Sequence, residues 1–246
     1  MARSIDPAPK AVRGFVPARN DEERYLMRHI EDLARTASSR GIARYSGFLS
    51  DREQQLAQAA LNRTDMPEDE IRFDGGWPGA ERKLLCLEPV DSYPASPLCC
   101  VRLQCRALPG AQLPVHKDYL GSLMGLELRR EALGDIVLPE DQLGVAYVFA
   151  LEPAAELICQ ELRQAGHTDL TAEMQPLETL PAFPQAERPR QTATVSSLRL
   201  DAVLAAMLRC SRGMAAELVT AGRVEINHLP AESVHAPVYE DDVFTV

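Results

Sequence analysis

Arg199-Leu200-Asp201-Ala202-Val203-Leu204, then Ser211-Arg212-Gly213-Met214-Ala215, then Gly222-Arg223-Val224-Glu225-Ile226-Asn227: the segment from Ser196 to Val246 writes two short helices and a strand turn, with an arginine at each junction. Leu200, Val203, Leu204 and Met207 recur at helical spacing, which predicts a first helix that buries one stripe and leaves Arg199 outside it. Ser211 stands where a second helix begins, as an N-cap for its free amides. A helix N-terminus carries partial positive charge and unpaired N–H donors, a natural seat for phosphate, and Arg212 adds a fork that can hold two phosphate oxygens. Gly222 stops the second helix in a left-handed residue, and Arg223 leads into the alternating Val224-Glu225-Ile226, with Asn227-His228 as its turn. Arg199, Arg209, Arg212 and Arg223 are expected to line one face over a small core of Leu200, Leu204, Leu218 and Val219. That face suits a folded RNA backbone.

The ordered spacing from Arg199 to Asn227 resembles the S4-type RNA-binding domain. The resemblance implies Arg199, Asp201, Arg209, Ser211, Arg212, Arg223 and Asn227 as RNA-binding residues. One departure is in the last strand: Glu240-Asp241-Asp242-Val243-Phe244-Thr245-Val246 lacks the usual Gly-Asp pair. Related chains usually run on past this strand into Gly- and Arg-rich residues, and loss of such a tail would remove phosphate contacts.

A chain of 246 residues, 46% hydrophobic and 25% charged, suits two or three small domains of a globular protein. No apolar run approaches a membrane span and the N-terminus lacks a signal-peptide core, so a cytoplasmic protein with no membrane partner is expected. Net charge is −10, and residues 191–246 hold four arginines against seven acids, a net of −3. That balance argues against nonspecific coating of nucleic acid, and binding would have to come from a local basic face. Cys86, Cys99, Cys100, Cys105, Cys159 and Cys210 form no C-x-x-C pair, and the five histidines are scattered. Buried reduced thiols are expected, with no metal site and no cofactor.

The expected fold class is α+β: N-terminal helices over 1–75, a ferredoxin-like domain over 76–177, a Pro-rich linker over 178–194 and the small αβ module over 195–246. Asn20-x-x-Glu23 and Ser50-x-x-Glu53 resemble capping boxes, the first opening a helix with Leu26, Ile30, Leu33 and Ala37 on one face. Asp74-Gly75-Gly76-Trp77-Pro78-Gly79 lacks the order of a nucleotide cradle and reads as a turn. Strands are predicted at Lys83–Leu87, Leu98–Arg106, Asp135–Leu138, Gly144–Ala150 and Leu170–Met174. One helix falls between the second and third of these and another, closed by Gly166, between the last two. After the leading strand the order β-α-β-β-α-β suggests a ferredoxin-like sheet, a topology shared by RNA-recognition-motif domains. Tyr147 and Phe149 share one strand face, but the partner strand Leu98-Cys99-Cys100-Val101 offers no aromatic, so core packing is the reading for them. Gly121 and Gly125, one helical turn apart, suggest close approach of a strand, and Lys117, Arg129 and Arg130 are a candidate second RNA contact beside the reading of a charge-capped turn.

Taken with Phe73-Asp74-Gly75-Gly76, Ala80-Glu81-Arg82, His116 to Ile136 and Thr194 to Asp201, the chain from about Asp21 onward resembles the YlmH family of bacterial RNA-binding proteins. The resemblance implies an RNA-recognition-like central domain before the S4-type module. It also implies association with ribosomal RNA of the large subunit, with tRNA or peptidyl-tRNA as a further partner, in rescue or quality control of stalled translation. A non-catalytic monomer is expected. The alternatives are an RNA-modifying enzyme, of pseudouridine synthase or methyltransferase type, with this module as targeting domain, or a protein-docking adaptor. Catalysis would need an activated aspartate in a pocket or a glycine-rich cofactor loop, and Asp118 and Asp135 read more simply as cap and turn residues.

Overall fold

The computed structural model describes residues 18, 20–106, 112–183, 191–226, 229–231, 233–238 and 242–246. Two compact units emerge, one spanning Pro17–Ala186 and the other built on Glu187–Val246. The fold class is α+β.

In the larger unit, α1 (Asp21–Arg40) starts at Asn20, whose side chain accepts from the Glu23 amide at 2.8 Å. The Glu23 side chain does not close the expected box. It pairs with Arg52 at 2.9 Å, an ion pair nearly shut from solvent. Met27, Ile30, Ala34 and Ala37 form the buried stripe, with Leu26 and Leu33 flanking it half-buried. β1 (Arg44–Leu49) follows, then α2 (Asp51–Leu61), where Ser50 and Glu53 form a reciprocal capping box. β2 (Ile71–Asp74) and β3 (Lys83–Leu87) complete an antiparallel sheet of order β1-β3-β2. The N-terminal region is therefore not helical alone, and a boundary at residue 75 cuts this sheet. Leu84, Leu85, Cys86 and Leu87 are buried on both faces of β3, and that strand pairs along one edge with β1 and along the other with β2, both from the N-terminal side. A register shift between Tyr45 and Phe48 breaks the alternation of β1.

The second sheet contains β4 (Leu98–Cys105), β5 (Leu133–Val137), β6 (Val145–Leu151), β7 (Gln164–Ala165) and β8 (Thr168–Gln175), in the order β5-β6-β4-β8-β7. With α3 (His116–Met124) after β4 and α4 (Glu152–Glu161) after β6, strands β5-β6-β4-β8 reproduce the ferredoxin-like arrangement, each neighbour antiparallel. Gly166 (φ 58) belongs to the β7–β8 hairpin and does not close α4, which ends at Glu161. Gly121 meets no neighbour within 4 Å of a built Cβ and Gly125 meets only its own helix, so no strand approaches there.

Alternation divides the sheet's side chains. Val101, Leu103, Ala146, Val148 and Ala150 meet Tyr119, Leu123, Ala155 and Ile158 of the helices. Leu98, Cys100, Val145, Tyr147 and Phe149 point the other way and are buried against Phe48, Leu84 and Cys86 of the first sheet. Gly76 (φ 86) lies against this layer, where a Cβ would sit 2.5 Å from the Phe149 ring. Leu177, Leu180 and Phe183 pack on it too, with the Phe183 ring 5.0 Å from Tyr147 and 5.6 Å from Trp77. The start of the expected linker is thus docked, because apolar side chains between its prolines find this surface. Tyr147 and Phe149 are core residues, as their sequence context predicts.

In the smaller unit, α5 (Leu200–Leu208) and α6 (Arg212–Thr220) precede a three-stranded sheet of β9 (Glu225–Ile226), β10 (Leu229–Pro230) and β11 (Phe244–Thr245). Leu200, Leu204, Ala215, Val219, Val224 and Val238 form its core. Met207, expected in the buried stripe, is 48% exposed in the last turn of α5. Among the described residues no helix is long and apolar enough to cross a membrane.

Candidate RNA interface

Asp201 organises the smaller unit's charged face. It lies in the first turn of α5 with its side chain only 8% exposed. Arg199 donates to both carboxylate oxygens, Nε and Nη2 each at 3.1 Å, and Arg212 donates to Oδ2 from Nε at 3.2 Å and Nη2 at 2.7 Å. Burial works to raise the Asp201 pKa, but hydrogen bonds and charge from both arginines prevail and hold it at about 2. The arginines are 41% and 51% exposed. One buried anion thus fixes two guanidinium groups while leaving their outer edges to solvent, and the three groups together carry one net positive charge. Asp201, expected as an RNA-binding residue, is placed beneath the surface as the residue that positions Arg199 and Arg212. An exposed carboxylate there would repel phosphate.

The two helix N-termini differ. The Leu200 and Asp201 amides of α5 donate to the carbonyls of Ala236 at 2.9 Å and Val234 at 3.1 Å, so that end is occupied by the chain itself. At α6, Ser211 Oγ accepts from the Met214 amide at 3.1 Å. The Arg212 and Gly213 amides donate to no described residue, and both residues are exposed. The expected anion seat is therefore at α6, where those amides lie beside the Arg212 fork.

Arg209 occupies the left-handed turn after α5, and Arg223 follows Gly222 (φ 68) at the far end of α6. Both are exposed, and neither makes an ion pair with a described residue. The structure thus joins Arg199, Asp201 and Arg212, with Ser211 next to Arg212 in the chain, while Arg209 belongs to the turn after α5 and Arg223 lies a helix length away from Arg212. Asn227 lies outside the described residues. His235 is an addition: its Nδ1 contacts Arg199 Nη2. No period or motif links it to Arg199 across 36 positions; the bridge of Arg199 with Pro237 and the bonds of the Leu200 and Asp201 amides to Ala236 and Val234 bring residues 234–237 into place.

The second candidate set lies around α3: Lys117 is in its first turn, and Arg129 and Arg130 follow its end. Arg129 faces Glu131 at 3.9 Å, and Arg130 donates to the Leu133 carbonyl at 3.1 Å. The neighbouring carboxylates are also engaged. Asp118 accepts from the Val115 amide, and Asp135 accepts from Trp77 Nε1 at 3.2 Å and from the Glu81 and Arg82 amides at 2.8 and 3.1 Å. Half-buried Arg82 donates to the carbonyls of Leu133, Phe48 and Arg130, and burial lowers its pKa. The Asp74–Arg82 and Gly134–Asp135 blocks thus form a joint between the two sheets. Among the described residues no group of three or more His, Cys, Asp or Glu could hold a metal ion.

Comparison with known proteins places these observations. The S4 domain family matches residues 198–244. Over 231 residues, 93% of this chain and 86% of the relative, the sequence is 31% identical to the ribosome-associated protein quality control protein P2 of Bacillus subtilis (strain 168). The chain belongs to the YlmH family. A solved structure, the cell division protein ylmH from Streptococcus pneumoniae, matches with a TM-score of 0.51 over 68% of this chain and 100% of that one. At 13% identity that likeness concerns the fold alone. Within the YlmH family chain described here, the matched S4 domain holds the whole Asp201 constellation, whereas the two sheets of the larger unit are sealed face to face.

Proposed function

We propose that this chain is a non-catalytic, cytoplasmic RNA-binding protein that joins the ribosome through its S4 domain. Its target on this reading is ribosomal RNA of the large subunit, with tRNA or peptidyl-tRNA alongside, in quality control of stalled translation. The observation that carries it is the Asp201-braced arginine pair beside the Arg212 and Gly213 amides, which donate to no described residue. Such an array grips phosphate by direction and charge. Support for the ribosomal target comes from the relative's name and its near full-length match. Support for a non-catalytic role comes from Asp118 and Asp135, whose carboxylates are consumed by backbone and indole donors.

Replacing the two arginines alone would strand a buried carboxylate, so the test uses Arg199→Gln, Asp201→Asn and Arg212→Gln together. Binding to purified bacterial large ribosomal subunits is measured over a salt series. The parent should weaken steeply with salt, and the triple variant should bind at least about tenfold more weakly with a shallower slope. A folded triple variant with the parent's affinity and slope would remove this reading.

A further inference from the structure

We infer that the free edge of β2 is a docking site for an extended, basic protein segment, which adds a strand to the first sheet. Hydrogen-bond register defines that edge. Along an antiparallel pair, residues that exchange hydrogen bonds alternate with residues whose backbone groups point away from the partner. The Glu88 amide donates to the Glu70 carbonyl at 2.9 Å, one step along from the Ile71–Leu87 pair. Arg72 and Asp74 therefore bond to β3, while the backbone groups of Ile71 and Phe73 point outward. The opposite strand agrees, because the Leu85 amide, facing Phe73 in the register, donates the other way, to Ser46 Oγ of β1 at 2.9 Å. In the order β1-β3-β2 no described strand lies beyond β2. The Ile71 amide is taken by the Glu68 carbonyl, which leaves the Ile71 carbonyl and the Phe73 amide and carbonyl without a described partner.

Side chains beside the edge form a receptor for a strand. Ile71 and Phe73 lie on one face of β2 and, with Gln58 of α2 and Glu68, line a groove of about 300 Å³. Gln55 sits one turn before Gln58 on the same helix stripe, and its buried Oε1 accepts no hydrogen bond from a described residue. Alternate apolar side chains of an added strand fill such a groove while its backbone pairs with the edge. Charge then selects the occupant. Glu68 and Asp69 are exposed and form no ion pair with a described residue, whereas Arg72 is held by Asp74 and Glu88. The unit from Pro17 to Ala186 carries 17 basic against 27 acidic residues, a net of −10. A second copy of the chain brings the same negative charge and RNA brings phosphate, so both are repelled here, while a lysine- or arginine-rich segment is attracted.

The probe is a short acetylated peptide of alternating valine and lysine. Its controls are the same peptide with glutamate for lysine and the same peptide N-methylated along its backbone, which removes the strand donors. Binding to the full chain is followed by fluorescence anisotropy and by amide hydrogen exchange. At saturation the lysine peptide should slow exchange at Phe73 at least about tenfold and leave Leu85, already bonded, unchanged. Both control peptides should bind at least about tenfold more weakly, and so should the lysine peptide to a Glu68→Lys, Asp69→Lys double variant. Absence of binding, binding that leaves Phe73 exchange unchanged, or binding that survives N-methylation would overturn the proposal. Phe73 exchange that slows with protein concentration alone would give the edge to a second copy, and slowing by protein-free ribosomal RNA would give it to RNA; either result also overturns the proposal.

Discussion

Replacing Asp201 with Asn probes the brace with little change of shape. A carboxyl held at about 2 against an ordinary 3.8 favours its charged form in the folded state by about 2 kcal/mol. Arg199 and Arg212 are 41% and 51% exposed, and solvent screens part of that attraction, so a loss of about 1 kcal/mol at neutral pH is expected. The sign with pH follows from the folded value lying below the unfolded one. Between the two, the unfolded chain binds the extra proton, so this contribution is whole above about pH 4 and disappears as pH falls through about 2. Trp77, the lone tryptophan, sits in the larger unit, so its fluorescence reports the wrong transition. Urea unfolding of the full chain followed by the NMR amide signals of Leu204 and Val219 reads the right one. Parent and Asp201→Asn should differ at pH 7 and converge near pH 2. A gap that stays constant across that range, or no gap at pH 7, would refute the electrostatic account of the brace.

Other consequences are as direct. Ser46 is buried, accepts from the Leu85 amide at 2.9 Å and donates to the Gly47 carbonyl, so Ser46→Ala should cost about 1–2 kcal/mol in denaturant unfolding. Tyr147→Leu should destabilise the larger unit yet leave affinity for large subunits within about twofold, since its ring is covered by Phe183 and the first sheet; subunit binding assays check this. Burial pushes the Cys86 and Cys100 thiols up to about 12, so both should resist a thiol-specific reagent at pH 8 until urea opens the fold, as mass spectrometry of labelled peptides would show.

How much was legible in the sequence depended on whether a signal was local. The central β-α-β-β-α-β order was readable because each element carries its own period, and Ser50, Ser211 and Gly222 announced helix ends through cap chemistry. The first sheet was hidden because its evidence is distributed: β1 loses its alternation at the Tyr45–Phe48 shift, β2 is four residues long, and β3 reads equally well as the leader of the next domain. Prolines around Leu177, Leu180 and Phe183 signal a linker, while docking of those side chains depends on a surface made elsewhere. The candidate site shows the same limit. Arg199 and Arg212 were visible as motif residues, but that Asp201 lies below them and His235 beside them follows from the fold of the unit.

Crosslinking the protein to RNA in cells, with sequencing of the attached fragments and identification of the crosslinked peptides, tests the central claim most directly. The account predicts ribosomal RNA of the large subunit, attached through peptides spanning Arg199 to Met214. Crosslinks carried instead by strands β4 and β6, or recovery of RNA no different from an uncrosslinked control, would contradict it.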